Sequence, residues 1–597
     1  MAEKAPLVSR LRGLIAHAGG APALAVVVGL LYVWLACPYI VENDTAEFAT
    51  LGAVGGIAHP SGYPAYVLWL RAWSWLPVDS PAHAAALATA LLGVAQVPVL
   101  HAAARRWGAS ALAATAATGM YAVAPLIIRY NTCAEAFALN NLIAATVLWL
   151  AAAHGPLRGG RRGLVLGLIA GVGLANHMTC ALMAPIGLLG LVRAAREGGW
   201  WRAVPLALGG FVLGLLPYAY LLVAPDNLMS WPTPHSVGDV LDIVLRRVYG
   251  GPFGFSSLGQ EVLWTDHLRE LVRTVGRAWA WGLPGLGIVG VVARAVRPAS
   301  GETRAGWISL LATIALAGPI LVARFDMRLD AIGLWTVHRF HLLPMLLLVI
   351  PVATGLDLLA RAFLRRGRHS EALERFAPVL VILALVAAAV SALPEVQRFH
   401  SPAMEFEVRN TLRSLPPRAV VLGTVDELDV GIRYLQLARG ERPDVAFVRW
   451  QSVTWPWYRD KLARAGLALT LVPGEVRAQV AAQVHALGRP LFASANGGVA
   501  DIPGFARYPY GVLLRILPPG EAEPPIDEVV ALNRDLFAAF DLGYRFPGPT
   551  DEWATWMHYN YESVWRRLGA WLRRVGRHED AARAFELAEQ LAPRDRS

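Results

Sequence analysis

The sequence predicts a polytopic α-helical membrane protein with a smaller α/β unit appended at its C-terminal end, and three observations carry this reading. Of the 597 residues, 55% are hydrophobic and only 16% are charged, which is too apolar and too long for one soluble domain. Apolar runs recur between residues 21 and 393, separated by short connections in which arginines cluster. After Pro394 the runs shorten, and β-type segments alternate with helical ones.

The net charge of +10 does not point to nucleic acid, because the arginines sit between apolar runs, where they set membrane orientation. The three cysteines, Cys37, Cys133 and Cys180, all fall in the apolar part and imply no disulfide framework. Residues 1–12 do not resemble a cleaved signal, since the run that follows is long enough to span.

Taken in order, Lys4, Arg10 and Arg12 precede a first span at 21–40, which places the N-terminus in the cytoplasm and loop 41–82 outside. Segment 62–76 is read as an amphipathic helix at the outer surface; counted as a span, it would force Arg105 and Arg106 outside. Further spans are expected at 83–104, 111–128 and 134–153. Run 164–192 lies between two basic loops and must turn near Asn176, His177 and Thr179 to give two short spans. Spans at 203–223, 275–296, 307–322, 342–359 and 377–393 complete eleven, with a long outer connection at 224–275. An odd count leaves everything after Pro394 outside. Asp44, Glu47, His59, Glu135, Asn176, His177, Asp326, His338 and Arg339 then share one face, as residues lining a single wet site would.

The expected division is therefore 1–393 for the membrane domain, with juxtamembrane helices in 41–82, and 394–550 for an outer α/β domain with strands at 419–424, 444–449, 491–495 and 511–516. Residues 551–597 form a helical end, in which Gly576, Ala581, Phe585, Ala588 and Pro593 fit one tetratricopeptide-type unit.

The candidate active site is stretch 41–66, VENDTAEFATLGAVGGIAHPSGYPAY. Asp44 and Glu47, three apart, share a helix face, although acids also simply favour a helix's first turn. His59 and Tyr63 flank a Pro/Gly turn that is rigid whatever its role. Glu135 could equally be a helix-opening acid, His177 a residue satisfying freed backbone, and Arg339 a snorkelling anchor. Their common face is what favours chemistry. Asp44, Glu47 and His59 could also form an oxygen/nitrogen metal site, but no repeated ligand spacing supports one, and no metal is assigned.

At these residues the chain resembles a known family. NDTAEFATLGAVGGIAHPSGYPAY is similar to the signature of the membrane proteins called domain of unknown function 2723, related to animal transmembrane protein 260. In that signature an acidic Asp-x-x-Glu-Phe element precedes His-Pro-Pro-Gly-Tyr-Pro; here Ser61 replaces one proline. The segments from Glu135 to Asn140, GLANHMT at 173–179, LPYAYL at 216–221, RFHLLP at 339–344 and YLQLARGERPDV at 434–445 extend the resemblance over most of the chain.

The resemblance implies the C-type glycosyltransferase (GT-C) superfamily, whose members move a sugar from a polyprenyl phosphate to an acceptor on the non-cytoplasmic side of the membrane. It implies Asp44 as the catalytic acid of the first external loop. The chemistry agrees. An acceptor hydroxyl needs a carboxylate base, Asp44 with Glu47 beside it, and a departing lipid phosphate needs a cation, Arg339. His59, Tyr63, Glu135, Asn176 and His177 are expected to bind substrate.

The expected partners are the bilayer, a lipid-linked sugar carrying mannose or another hexose, and a protein or glycan acceptor, with a bacterial inner membrane as the location. Two readings compete: a transporter or lipid-linked glycan flippase, which calls for midplane charges and repeats not found here, and a membrane anchor carrying a binding module.

Overall fold

The computed structural model describes residues 20–251, 263–298, 301–364, 370–424, 426–495 and 498–594. Lys4, Arg10, Arg12, Arg365, Arg366 and Arg368, on which part of the orientation rests, lie outside these residues.

The membrane part is a helical bundle, and the segments read as spans are largely helical, several of them divided between two helices. Among the described residues, four helices are long and apolar enough to cross a bilayer: Pro81–Arg106, Met178–Gly198, Trp200–Leu222 and Arg375–Ser414. Counting bent pairs as single spans brings the number to seven, and Ala21–Leu35, Phe137–Ala151 and Arg304–Ile320 are apolar but shorter. The first bend, of 68°, separates Ala111–Ala122 from Pro125–Asn131. It falls just before a proline, where the preceding residue is pushed out of helical geometry and proline suits a new first turn.

A second difference concerns segment 224–275, expected to be an open connection. Among the described residues it carries the α-helices Val237–Val244 and Trp264–Ala278. The latter meets Gly282–Val296 at 96°, with Ala280 and Trp281 in the left-handed region at the corner. Arg269, Arg273 and Arg277 recur at helical spacing along it. Such a charged stripe keeps the helix at a wet surface.

Run 164–192 reverses at His177. Helix Gly159–Asn176 ends there, and Met178–Met183 leads into Ala184–Gly198, which packs against it. The tightest approach in the bundle is between Gly159–Asn176 and Trp200–Gly214. A Cβ added at Gly167 would lie 1.9 Å from the Ala207 carbonyl oxygen, and one at Gly171 2.3 Å from that of Phe211. Small residues four apart let the two backbones touch, and in lipid that close packing holds helices together where water-driven burial cannot.

Outside the bundle, β1 (Val420–Gly423), β2 (Ala446–Arg449), β3 (Leu491–Ser494), β4 (Arg507–Tyr510) and β5 (Leu513–Ile516) form one sheet in the order β2-β1-β3-β5-β4. β1 runs parallel to β2 and β3, whereas β5 is antiparallel to β3 and β4. The sequence reading lacks β4. Pro509 argues against a strand, yet β4 lies at the sheet edge, where a missing N–H costs no ladder bond. Glu552–Arg574 and His578–Leu591 form a helical pair that closes tightly where the Phe585 ring lies over Gly569.

The sheet unit is tied to both ends of loop 41–82 and to the connection that begins at residue 224. The Ile40 N–H donates to Glu405 Oε2 at 3.0 Å, Arg439 donates to the Asp79 carbonyl at 3.0 Å, and Arg433 donates to the Leu228 carbonyl at 2.7 Å. Gly167→Leu is expected to cost more than the ~1–3 kcal/mol of ordinary overpacking, because the obstacle is backbone rather than a side chain. The check is the yield of monodisperse protein in detergent, which should collapse for Gly167→Leu and hold for Gly209→Leu, where a Cβ meets nothing within 4 Å.

Candidate active site

Helix Asn43–Val54 opens straight after the first membrane helix, with Asp44 in its first turn. The three-residue spacing of Asp44 and Glu47 puts both carboxylates on one helix face, and each finds its own partner. Asp44 Oδ2 accepts from Arg339 Nη1 across 295 residues of sequence. Glu47 accepts twice from His59: from its backbone N–H at 2.9 Å and from its ring Nδ1 at 2.5 Å. The other ring nitrogen, His59 Nε2, lies 3.0 Å from the Tyr63 hydroxyl.

The turn that presents His59 and Tyr63 has a definite reason for its sequence. Gly62 has φ +89°, a conformation that side chains disfavour. Tyr63 follows at φ +45° as N-cap, and Pro64 takes the first position of helix Pro64–Ala72.

Arg339 lies in a single 3₁₀ turn, Arg339–His341, between two helices. Its guanidinium stacks on Trp335 at 4.2 Å from the ring centre and approaches Glu135 Oε1 at 3.8 Å. His177 joins from the reversal at the end of Gly159–Asn176. Its ring is 5.7 Å from that of Tyr63 and 4.6 Å from that of Phe137, and its Nδ1 accepts from the Thr179 N–H at 3.1 Å.

Seven of the eight residues singled out in the sequence therefore adjoin one another. Asn176 does something else: it is buried, and its amide donates to the Ala136 carbonyl at 3.1 Å, bracing the backbone beside Glu135. Asp326 makes no hydrogen bond or ion pair with this group among the described residues.

Electrostatics set the resting state. Burial opposes ionisation of Asp44, but the Arg339 guanidinium outweighs it and, with His59 assisting, holds the carboxyl below the usual range. Burial likewise opposes a charged His59, and the carboxylates of Glu47 and Asp44 outweigh it, so the imidazole titrates above its ordinary value.

Asp44, Glu47 and His59 each offer an atom within 4.8 Å of the others, the donor set of a divalent-cation site. As arranged, however, Asp44 is satisfied by Arg339, and Glu47 by His59. These pairings account for the cluster's charges without a metal, and none is assigned to it.

Beside this cluster lies a second, more deeply buried network, of which the sequence reading placed only His338 on the site's face. Arg129 Nη1 and Nη2 donate to the two Glu552 oxygens at 2.9 and 2.5 Å, and Nη2 also donates to Glu42 Oε2 at 3.2 Å. Glu552 Oε1 lies 3.3 Å from His338 Nδ1, and His338 Nε2 lies 2.8 Å from Glu270 Oε1. His338 immediately precedes Arg339. An arginine at the edge of an apolar run is a legible signal, since such charges are rarely idle. Nothing local marks Glu552, more than four hundred residues further on.

Fold and site together define a helical membrane protein with a cluster of acids, histidines and an arginine at one end of its bundle. Over 86% of its length the chain aligns with the crystal structure of ArnT from Cupriavidus metallidurans bound to undecaprenyl phosphate, covering 100% of that chain at a TM-score of 0.51 and 14% identity. Residues 44–197 match the family model described as the Protein O-mannosyl-transferase TMEM260 N-terminal domain. The Protein O-mannosyl-transferase TMEM260 of Mus musculus is 26% identical over 440 residues, which is 71% of this chain and 61% of that relative. The chain thus spans less than two thirds of the relative's length. The resemblance read from the motifs is found again, and the family match begins at Asp44 itself.

Two outcomes are expected. Glu552→Ala leaves Arg129 without its bidentate partner, and such a loss costs about 3–5 kcal/mol; thermal melting in detergent should show a marked fall. For His59, whose folded pKa is raised, the stabilisation from its ion pairs is fully present below pH ~6.5 and lost as pH rises through the raised value. The melting difference between wild type and His59→Gln should therefore be widest in mild acid and narrow as the pH rises.

Proposed function

We propose that this protein is a membrane glycosyltransferase that moves a hexose, mannose by kinship, from a polyprenyl-phosphate donor to an acceptor hydroxyl, a protein Ser or Thr, at the outer face of a bacterial inner membrane. The observation that carries this reading is the contact between Asp44 and Arg339, a base and a phosphate-binding cation brought together from opposite ends of the membrane domain. The matched family and the mouse relative, both described as protein O-mannosyl-transferases, support the acceptor class. The ArnT structure, bound to undecaprenyl phosphate, supports the donor class.

The reaction follows from the pairings. Asp44 held by Arg339 is a weak base, because its charge is already compensated. When the donor phosphate reaches the site, Arg339 turns its planar fork to the phosphate oxygens, and Asp44 regains its basicity. Asp44 then takes the proton of the acceptor hydroxyl as that oxygen bonds to the anomeric carbon. The bond from that carbon to the phosphate oxygen breaks, its electron pair stays on the phosphate, and Arg339 balances the added charge. Glu47 and His59, locked to each other, orient the sugar's hydroxyls together with Tyr63, while Glu135 keeps Arg339 in reach. His177 and the surrounding aromatic rings close the far side.

In this reading residues 394–550 form the outer domain, and residues 551–597 are a helical cap that completes the site through Glu552. Lipid attachment also explains a reaction centre at the ends of membrane helices, since the donor's tail remains in the bilayer while its headgroup reaches the acids.

Asp44→Asn should lower sugar transfer by about 10²–10⁴-fold, the usual share of a general base, with donor binding retained. Arg339→Ala should also abolish transfer, and should weaken donor binding besides. Both are read by incorporation of labelled hexose from the polyprenyl-phosphate donor by folded, purified chains. Undiminished turnover in Asp44→Asn would remove the base assignment.

A further inference from the structure

A cavity of about 660 Å³ lies immediately beside the catalytic turn, and the reaction derived above leaves it unused. Its floor includes Pro60, the neighbour of His59. One wall is the outer connection that follows Trp231, and the other is the segment from Trp455 through helix Pro456–Arg464 of the sheet unit. Trp231 and Trp455 flank Trp457, with ring centres 6.5 and 5.5 Å from it.

The walls are fixed to one another. The Trp231 N–H donates to the Ile57 carbonyl at 2.9 Å, and the Ile57 N–H donates to Ser230 Oγ at 2.9 Å. Lys461 Nζ donates to the carbonyls of Ser230 at 2.6 Å and Asn227 at 3.1 Å, and pairs with Asp226 at 2.6 Å. Catalytic turn, outer connection and sheet unit therefore meet in one preformed aromatic cleft of the size and apolar character of a binding site.

The lining decides between occupants. Several of its charged groups are already committed: Asp226 to Lys461 and Arg464, Asp239 to the capping box with Ser236, and Asp242 to Arg247. A glycan would need many open hydrogen-bonding groups for its hydroxyls. Tryptophans and prolines suit an extended polypeptide with apolar or proline side chains, as in other aromatic-lined grooves, and rigid aromatic rings are the usual anchors of such contacts.

We infer that this cleft seats an extended segment of the acceptor polypeptide and presents its Ser or Thr hydroxyl past Pro60 toward Asp44. Pro60 lines the cleft and is the chain neighbour of His59, so a segment held on the tryptophans has to run on past Pro60 to bring its hydroxyl to the acids. The inference rests on the transferase reading and adds to it where the acceptor binds and which flanking residues it carries.

The test compares four full-length chains in cells lacking the native gene: wild type, Trp231→Ala with Trp457→Ala, Thr233→Trp, which fills the cleft, and Asp44→Asn. Hexose on Ser and Thr of secreted peptides is mapped by mass spectrometry. Each purified chain is also assayed for hydrolysis of polyprenyl-phosphate hexose by water, which needs the donor site but no acceptor.

The expected result is a loss of modified peptides of tenfold or more in both cleft variants, strongest at sites flanked by apolar residues, with wild-type hydrolysis and membrane levels. Asp44→Asn should lose both activities. Modified peptides within twofold of wild type in both cleft variants would overturn the cleft while leaving the transferase reading intact. Loss of donor hydrolysis alongside the peptides would also overturn it, by assigning the tryptophans to folding or donor binding. Hexose lost only from surface glycans would overturn the polypeptide occupant. A wild type that modifies no peptide would sink the protein-acceptor reading, and this inference with it.

Discussion

Two arginines largely withdrawn from water organise one end of the bundle, and each is tolerable only because carboxylates meet it. An ion taken out of water costs several kcal/mol unless its charge is matched and its hydrogen-bonding groups are filled. Arg339 is matched by Asp44, with Glu135 beyond, and Arg129 by Glu552 and Glu42. These pairings join loop 41–82, three further segments of the bundle and the C-terminal helical pair. The same requirement that makes the structure cohere sets the Asp44 carboxylate against a guanidinium from a distant segment.

The two clusters differ in use because they differ in exposure. Arg129, Glu42 and Glu552 have side chains 3% exposed or less, whereas those of Asp44 and Arg339 are 14% and 15% exposed. The closed network has no room to exchange partners and acts as a clamp. The partly open pair keeps a path to solvent that the closed network lacks. His338, bonded to Glu552 and adjacent in sequence to Arg339, links the clamp to the more open pair. The outer unit is therefore part of the site's construction rather than a separate attachment.

Much of this was legible in the sequence, unevenly and for identifiable reasons. Asp44, Glu47, His59 and Tyr63 lie within twenty residues, where helical spacing and a Pro/Gly turn nearly dictate proximity. Glu135, His177 and Arg339 came from the ends of different spans and could be grouped only by side of the membrane. Four of the five strands show as short apolar runs, whereas β4 is hidden by Pro509. The bends at Pro125 and at Ala280 to Trp281 were missed because hydropathy reports apolar length and not direction. Asn176 fell in the right place, but its amide serves the Ala136 backbone.

By itself the sequence determined what depends on neighbours along the chain: which segments are apolar and helical, that acids and a histidine crowd the first outer loop, and that Asp44 and Glu47 share a face. Only the tertiary structure decided which cation answers which acid. Asp44 could have met any of several arginines, and its choice of Arg339, 295 residues away, depends on helix ends stacking in one order. The same holds for Glu552, whose role exists only because the final helices fold back onto the bundle. Local patterns are set by rotation per residue, but long-range pairing is set by packing, since a buried charge accepts whatever partner the close-packed helices deliver.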